Sequence, residues 1–301
     1  MLIIPLCLLF GILIHSSVTK KNIPDSSTAS VVQSKFEYRI NPFDIVNITG
    51  RAALVKDVNS GEIAYQKNAN LVLPLASITK LMSVTLVMEH SFPQDEIVNI
   101  SPNAINTPGE SYFFINEKFE VQELIKMMLV SSSNDAAAAM REYFEAKTGL
   151  DFLVEMNKLA KKIGMKNTNF FNETGLDLSS ENAGSVGTAS DLAILFEYIL
   201  KNHPEIFEYS KMINYSTYSE SGLYYEMQNT NGIISKLKNI IGTKTGYTDL
   251  AGGNLGVIID PDLNKPTIII VLGSTFDGRF DDVLKLNNTL SEFFNYQLNK
   301  K

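Results

Sequence analysis

The sequence predicts an α+β fold: an antiparallel sheet flanked by helices, with a helical lobe inserted between its early and late strands. Three observations point there. Short strand-like runs bounded by turn signals occur near the start of the folded region and again near its end. The stretch between them repeats its apolar residues at helical spacing. A last helical run closes the chain.

The elements follow in order. Arg51 to Asp57 and Glu62 to Gln66 read as strands, joined through the turn signal Asn59-Ser60-Gly61. Leu75 to His90 reads as a helix, with Ile78, Leu81, Met82, Val84 and Leu86 near the helical period. Val121 to Val130, Asp135 to Ala146, Phe152 to Ile163 and Ala189 to Leu200 carry the same spacing. Ile240 to Lys244, Gly253 to Ile259 and Thr267 to Leu272 are β-rich, with Asp260-Pro261-Asp262 as a turn. A final helix is expected from Asp282 to Gln297. Such a two-lobed arrangement leaves a cleft, a usual place for a substrate.

The chain has 301 residues, of which 45% are hydrophobic, so a large core is available. A net charge of −7 argues against nucleic acid or an anionic membrane surface as the main partner. The lone cysteine, Cys7, rules out an internal disulfide and a cysteine-built zinc site. The apolar run Leu2 to Ile14 is too short for a comfortable membrane span, and two readings stay open: residues 1–18 are a cleaved signal peptide or an N-terminal membrane anchor. Residues 19–47 read as a linker and 48–298 as one catalytic domain.

Short motifs carry the chemistry, and context separates them from decoys. Ser77-Ile78-Thr79-Lys80 opens the first expected helix. Residues three apart share a helix face, which brings the Lys80 amine beside the Ser77 hydroxyl. A helix N-terminus also offers free N–H groups to a developing oxyanion. Ser17-Val18-Thr19-Lys20 has the same spacing but no such frame. Ser132-Ser133-Asn134 falls between two helices and can project from a loop; Ser101-Pro102-Asn103 and Ser180-Glu181-Asn182 share its pattern. Lys244-Thr245-Gly246, followed by Tyr247, sits on a strand that can pair with an extended peptide. Strict alternation would send Lys244 and Thr245 to opposite faces, so both serve one site only if they straddle a rim or the strand twists. Lys147-Thr148-Gly149 repeats the tripeptide at what reads as a helix end. Taken singly, each motif also has an ordinary reading as a cap or a solvated lysine.

The three histidines, His15, His90 and His203, lack the partners of a Ser-His-Asp triad or a zinc peptidase. A lysine base fits better, but it must be neutral. Lowering a lysine from about 10.4 to about 7 takes roughly 4–5 kcal/mol of unfavourable surroundings for its charge. Burial and a second cation supply this, and Lys244 is the obvious cation.

From Ala52 to Phe294 the chain resembles the serine D-Ala-D-Ala carboxypeptidases, the low-molecular-mass penicillin-binding proteins of the β-lactamase/transpeptidase-like superfamily. The resemblance rests on Pro74-Leu75-Ala76-Ser77-Ile78-Thr79-Lys80-Leu81-Met82, Ser132-Ser133-Asn134-Asp135-Ala136-Ala137, Gly175-Leu176-Asp177, Lys244 to Thr248 with Ala251-Gly252, and Phe276-Asp277-Gly278-Arg279. It implies that Ser77 is the nucleophile and Lys80 its base. Ser132 relays a proton to the leaving amine, and Asn134 orients Lys80 and the substrate amide. The amides of Ser77 and Tyr247 form an oxyanion hole, while Lys244, Thr245 and Arg279, beside Gly246, hold a terminal carboxylate. Asp177 shapes the nearby loop. It further implies a peptidoglycan stem peptide as substrate, β-lactams as inhibitors, an extracytoplasmic location, and no cofactor or metal. Open alternatives are a class A-like β-lactamase, in which Glu173 would hold the deacylating water, a muropeptide endopeptidase, and a non-catalytic β-lactam sensor.

Overall fold

The computed structural model describes residues 40–109 and 113–300, the side chains of 299 and 300 excepted. The expectations for residues 1–18 and 19–39, Cys7 and His15 among them, lie outside the described residues. Among the described residues no helix is long and apolar enough to cross a membrane.

The chain lays down the hairpin β1 (Ala52–Asp57) and β2 (Ile63–Lys67). The Asp57 carboxylate closes its turn by accepting from the Ser60 amide at 2.7 Å. A short strand, β3 (Leu73–Pro74), leads to helix α1 (Thr79–Glu89). Next come β4 (Ile97–Asn99), α2 (Pro102–Ile105) and β5 (Lys118–Glu120). Helices α3 (Val121–Val130), α4 (Asn134–Thr148) and α5 (Phe152–Ile163) follow. The small strands β6 (Asn169–Phe170) and β7 (Ser185–Gly187) precede α6 (Ala189–Asn202) and α7 (Glu205–Ser210). A separate hairpin, β8 (Asn214–Tyr218) with β9 (Tyr224–Gln228), returns the chain to the main sheet. Strands β10 (Ile240–Thr248), β11 (Gly252–Ile259) and β12 (Thr267–Ser274) complete that sheet, and α8 (Gly278–Lys300) ends the chain.

The main sheet has five antiparallel strands in the order β10-β11-β12-β1-β2. Its period-two alternation feeds two cores. Leu54, Ile268 and Ile270 face the helical lobe and belong with Phe196 of α6 to one core. Val55, Val257, Ile269 and Val271 face the other way and belong with Val283, Leu286 and Leu290 of α8 to the second. The sheet is apolar on both faces because both are covered. Strand β10 lies at one edge, so its outer side is free of strand partners and borders the helical lobe.

Several expectations need correction. The folded body begins before residue 48: Pro42–Ile45 form a 3-10 turn, and the buried Phe43 ring sits 5.3 Å from Phe293 of α8. The segment read as the tail of a linker is therefore the lid of the second core. The first helix does not start at Leu75; Ala76–Ile78 form a 3-10 turn and α1 starts at Thr79. Strand β10, expected to end at Lys244, runs on to Thr248. The hairpin β8–β9 was not foreseen. Its strands alternate between exposed residues and ones that are partly buried in β8 and buried in β9, and contacts remote in sequence hold it, such as the Glu220 amide donating to Lys118 O at 3.0 Å.

Candidate active site

Ser77 lies in the 3-10 turn ahead of α1, and the turn is bent by a left-handed residue, Ala76 with φ +50°. An alanine adopts that conformation only when its surroundings impose it. The surroundings are two close backbone approaches. At Gly175 (φ +81°) an added Cβ would come within 1.9 Å of the Ala76 carbonyl oxygen. At Gly246 it would meet the Leu75 carbonyl oxygen at 2.8 Å and the Ser77 nitrogen at 3.1 Å. Asn254 of β11 adds an anchor, donating to the Pro74 carbonyl at 2.9 Å. Ser77 is thereby held half-buried against the edge strand.

Lys80, one turn on, is fully buried, 0% exposed. Its Nζ lies 2.9 Å from Ser77 Oγ, 2.7 Å from Asn134 Oδ1 and 3.0 Å from the Thr174 carbonyl oxygen. Burial lowers its pKa to about 7, against the opposing pull of the Glu173 carboxylate. The proton inventory then fixes the geometry. A neutral amine has two N–H groups and one lone pair. Two of its three neighbours are carbonyl oxygens, which only accept, so they take the N–H groups. The lone pair faces the one neighbour able to donate, the Ser77 hydroxyl.

Ser132 and Asn134 reach the same place from the α3–α4 junction. The Ser131 and Ser133 amides both turn back to the Met127 carbonyl, at 3.2 and 3.3 Å, and Ser132 takes φ +63°. The Ser133 hydroxyl caps α4, accepting from the Ala136 amide at 3.1 Å. The capping task thus falls to the middle residue, and its neighbours point into the cleft. Asn134 also donates to the Pro108 carbonyl at 3.0 Å. The look-alikes behave otherwise. Ser101 caps α2 by accepting from Ala104 N at 3.0 Å, and Lys147 pairs with Glu96 ahead of the left-handed cap Gly149.

Lys244, 1% exposed, spans the cleft and donates to Ser132 Oγ at 2.9 Å. Its pKa is held well below the ordinary lysine value by burial first, then by the charges of Lys80 and Arg279. Burial, one of the two expected causes, is the largest at Lys80 too, and of the two lysines it is Lys244 that the charge of the other lowers. Alternation along β10 is obeyed. Lys244 pairs with Gly256, whose added Cβ would meet Phe196 on the helical side, and Thr245 pairs with Leu255 of the second core. The strand is an edge, so the two side chains leave its opposite faces beside the same free border, where the Thr245 hydroxyl meets that of Thr230 at 2.5 Å. Arg279, in the first turn of α8, is only 4% exposed and donates from Nη1 to the Gly246 carbonyl at 2.9 Å. Its guanidinium stacks 4.4 Å from the Phe276 ring, and its buried Nε has no hydrogen-bond partner among the described residues. Burial lowers its pKa to about 10. Tyr247, 46% exposed, meets Phe276 edge-on at 5.1 Å and marks the open rim.

The 172–178 loop closes the floor. Glu173 gives its carbonyl to Ser83 at 2.7 Å and its carboxylate to Arg141 at 3.2 Å. Asp177 accepts from the Thr248 hydroxyl at 2.9 Å and the Leu250 amide at 3.1 Å, latching the loop to the β10–β11 turn. The structure therefore brings Ser77, Lys80, Ser132, Asn134, Lys244, Thr245, Gly246 and Arg279 to one cleft. Thr174 and Thr230 join them unforeseen. Asn229-Thr230-Asn231-Gly232 reads in the sequence as a turn, and only its neighbours on β10 give it a place here.

Comparison with known proteins gives concordant results. A family model described as D-alanyl-D-alanine carboxypeptidase matches residues 39–275. The D-alanyl-D-alanine carboxypeptidase DacF of Bacillus subtilis is 32% identical over 203 residues, 66% of this chain. This chain spans about half of that relative's length, 51%. A D-alanyl-D-alanine endopeptidase of Pseudomonas aeruginosa is 31% identical, covering 79% of this chain and 76% of its own length. Among solved structures, ampicillin-bound penicillin-binding protein D2 from Listeria monocytogenes superposes with a TM-score of 0.67 at 30% identity, covering 81% of this chain and 98% of that one.

Proposed function

Because this chain belongs to the D-alanyl-D-alanine carboxypeptidase family, we propose that it removes the terminal D-alanine from peptidoglycan stem peptides through an acyl-enzyme on Ser77. The observation that carries the reading is the buried amine of Lys80, 2.9 Å from Ser77 Oγ with its two N–H groups committed elsewhere.

The chemistry follows from those groups. Ser77 Oγ attacks the carbonyl carbon between the two D-alanines as its proton passes to Lys80 Nζ. The oxyanion settles between the amides of Ser77 and Tyr247, which the contact of Gly246 with Ser77 N draws together. The C–N bond then breaks, the leaving amine takes a proton from Ser132, and the proton that Lys80 accepted from Ser77 passes on to Ser132, so that Lys80 is neutral again. Lys244 donates to Ser132 Oγ, which leaves the Ser132 hydroxyl proton free to point at that amine. Water next adds to the ester, passing a proton to Lys80; the C–O bond breaks and Ser77 recovers its proton. The terminal carboxylate lies against Thr245 and the Nε of Arg279, which has no partner among the described residues, and its negative charge favours the ammonium form of Lys244. A β-lactam acylates the same serine. The substrate polymer lies outside the cytoplasm, and so does the enzyme, with residues 1–18 as signal or anchor.

The β-lactamase alternative ranks lower because Arg141 engages the Glu173 carboxylate. The test combines D-alanine release from a pentapeptide, penicillin hydrolysis, and mass spectrometry after penicillin labelling. The expected results are D-alanine release, slow penicillin turnover, and a label on Ser77 that Ser77→Ala abolishes. Lys244→Ala cripples peptide turnover and Lys147→Ala spares it. A label elsewhere, or the reverse lysine pattern, overturns the assignment. Rapid penicillin turnover favours the β-lactamase, and cleavage of a cross-linked dimer without D-alanine release favours the endopeptidase.

A further inference from the structure

We propose that Thr230 is a positioning residue that aims the Thr245 hydroxyl at the terminal carboxylate of the substrate, and so sets the preference for a free C-terminus. The inference rests on the reading of the 244–246 edge given above. Each threonine has a single hydroxyl proton. In the 2.5 Å pair between Thr230 Oγ1 and Thr245 Oγ1, one hydroxyl donates and the other accepts. A carboxylate can only accept. For Thr245 to spend its proton on the carboxylate, it must accept from Thr230.

Thr230 is held firmly in place beside Thr245. Its amide donates to the Val130 carbonyl at 3.1 Å, two residues before Ser132. On one side Asn229 donates to the Ser210 and Met212 carbonyls, both at 2.8 Å. On the other, Asn231 donates to Thr243 Oγ1 at 2.9 Å. The segment therefore ties the helical lobe to β10 through three consecutive residues. A β-branched side chain on so pinned a backbone has little χ1 freedom. The hydroxyl of Thr230 reaches round the edge to the Thr245 side of the strand, where α8 and Arg279 also approach.

The test uses the full chain and two acyl-D-alanyl thioesters, one whose leaving group carries a free carboxylate and its methyl ester. The quantity read is the ratio of their kcat/KM values in wild type, Thr230→Val, Thr230→Ala, Thr230→Ser and Thr245→Val, with folding followed by circular dichroism. Losing the directed hydrogen bond to a charged group predicts a roughly tenfold fall in that ratio for Thr230→Val and Thr230→Ala, expressed mainly in KM. Thr230→Ser restores the ratio. If both non-hydroxyl variants lower the two substrates equally, the role is structural and the proposal fails. If Thr245→Val loses the ratio while they keep it, the proposal fails alone. If Thr245→Val also keeps it, the carboxylate reading of the strand edge falls, and this proposal with it.

Discussion

A lysine amine that has lost its charge cannot be identified from its own side chain; its neighbours make it a base. At Lys80 those neighbours are two obligate acceptors, a hydroxyl, and the Glu173 carboxylate, which favours the ammonium. Burial outweighs that carboxylate and lowers the pKa to about 7. The sign for activity follows. Below this value Lys80 carries a proton and cannot take one from Ser77, so the second-order rate of penicillin acylation rises with pH through about 7. Glu173→Gln removes an attraction that favours the charged form, so the acid limb moves to lower pH. A stopped-flow pH profile of both proteins checks this, and an unmoved or raised midpoint in the variant contradicts it.

Elements supply what single residues cannot, namely direction and separation. The 172–178 loop presents the Thr174 carbonyl to Lys80, yet its own position depends on Asp177, whose carboxylate binds the far end of β10. Asp177→Ala leaves a buried hydroxyl and a backbone amide without their acceptor. The expected cost is about 2 kcal/mol, or a fall in Tm of about 3 °C at this chain length. Acylation slows by roughly tenfold as the Thr174 carbonyl drifts from the amine. Calorimetry and acylation kinetics measure the two effects. Slower acylation with an unchanged Tm would mean that the carboxylate acts on the reaction itself and is no latch.

At the scale of the whole molecule, one sheet serves two cores, and the site at its edge draws side chains from both sides of it. The helical lobe supplies Ser132 and Asn134, while α8 covers the opposite face with Val283, Leu286, Leu290 and Phe293. The family match ends at residue 275, before α8. Stopping the chain at residue 277 would bare that apolar sheet face and remove Arg279. It would also remove Asp282, whose carboxylate accepts from Thr49 N at 2.9 Å, Gly50 N at 2.8 Å and Ser274 Oγ at 2.7 Å. The expected outcome is an aggregating chain with no cooperative melt and no penicillin label. A truncated chain that melts cooperatively would show that the helix is dispensable to the fold.

Much of this could be read in advance from local pattern. The Phe152–Ile163 helix has its predicted bounds, with Asp151 capping it and Gly164 ending it, because those signals lie within a few residues of each other. The Ser77–Lys80 spacing and the helix break at Ser132 are local in the same way. What proximity in the chain could not specify was settled by packing. Ala76 takes its strained φ because Gly175 and Gly246 press on it from remote segments. Lys244 meets Ser132 across 112 residues of sequence. Thr230 gains a role only where the helical lobe meets the free edge of β10. The linear sequence determined the elements and the reactive groups, since turns, caps and periodicity act over a few residues. The tertiary structure alone decided which groups share a cleft and which lysines are desolvated, since desolvation and long-range contact exist only once the two cores have closed around the sheet.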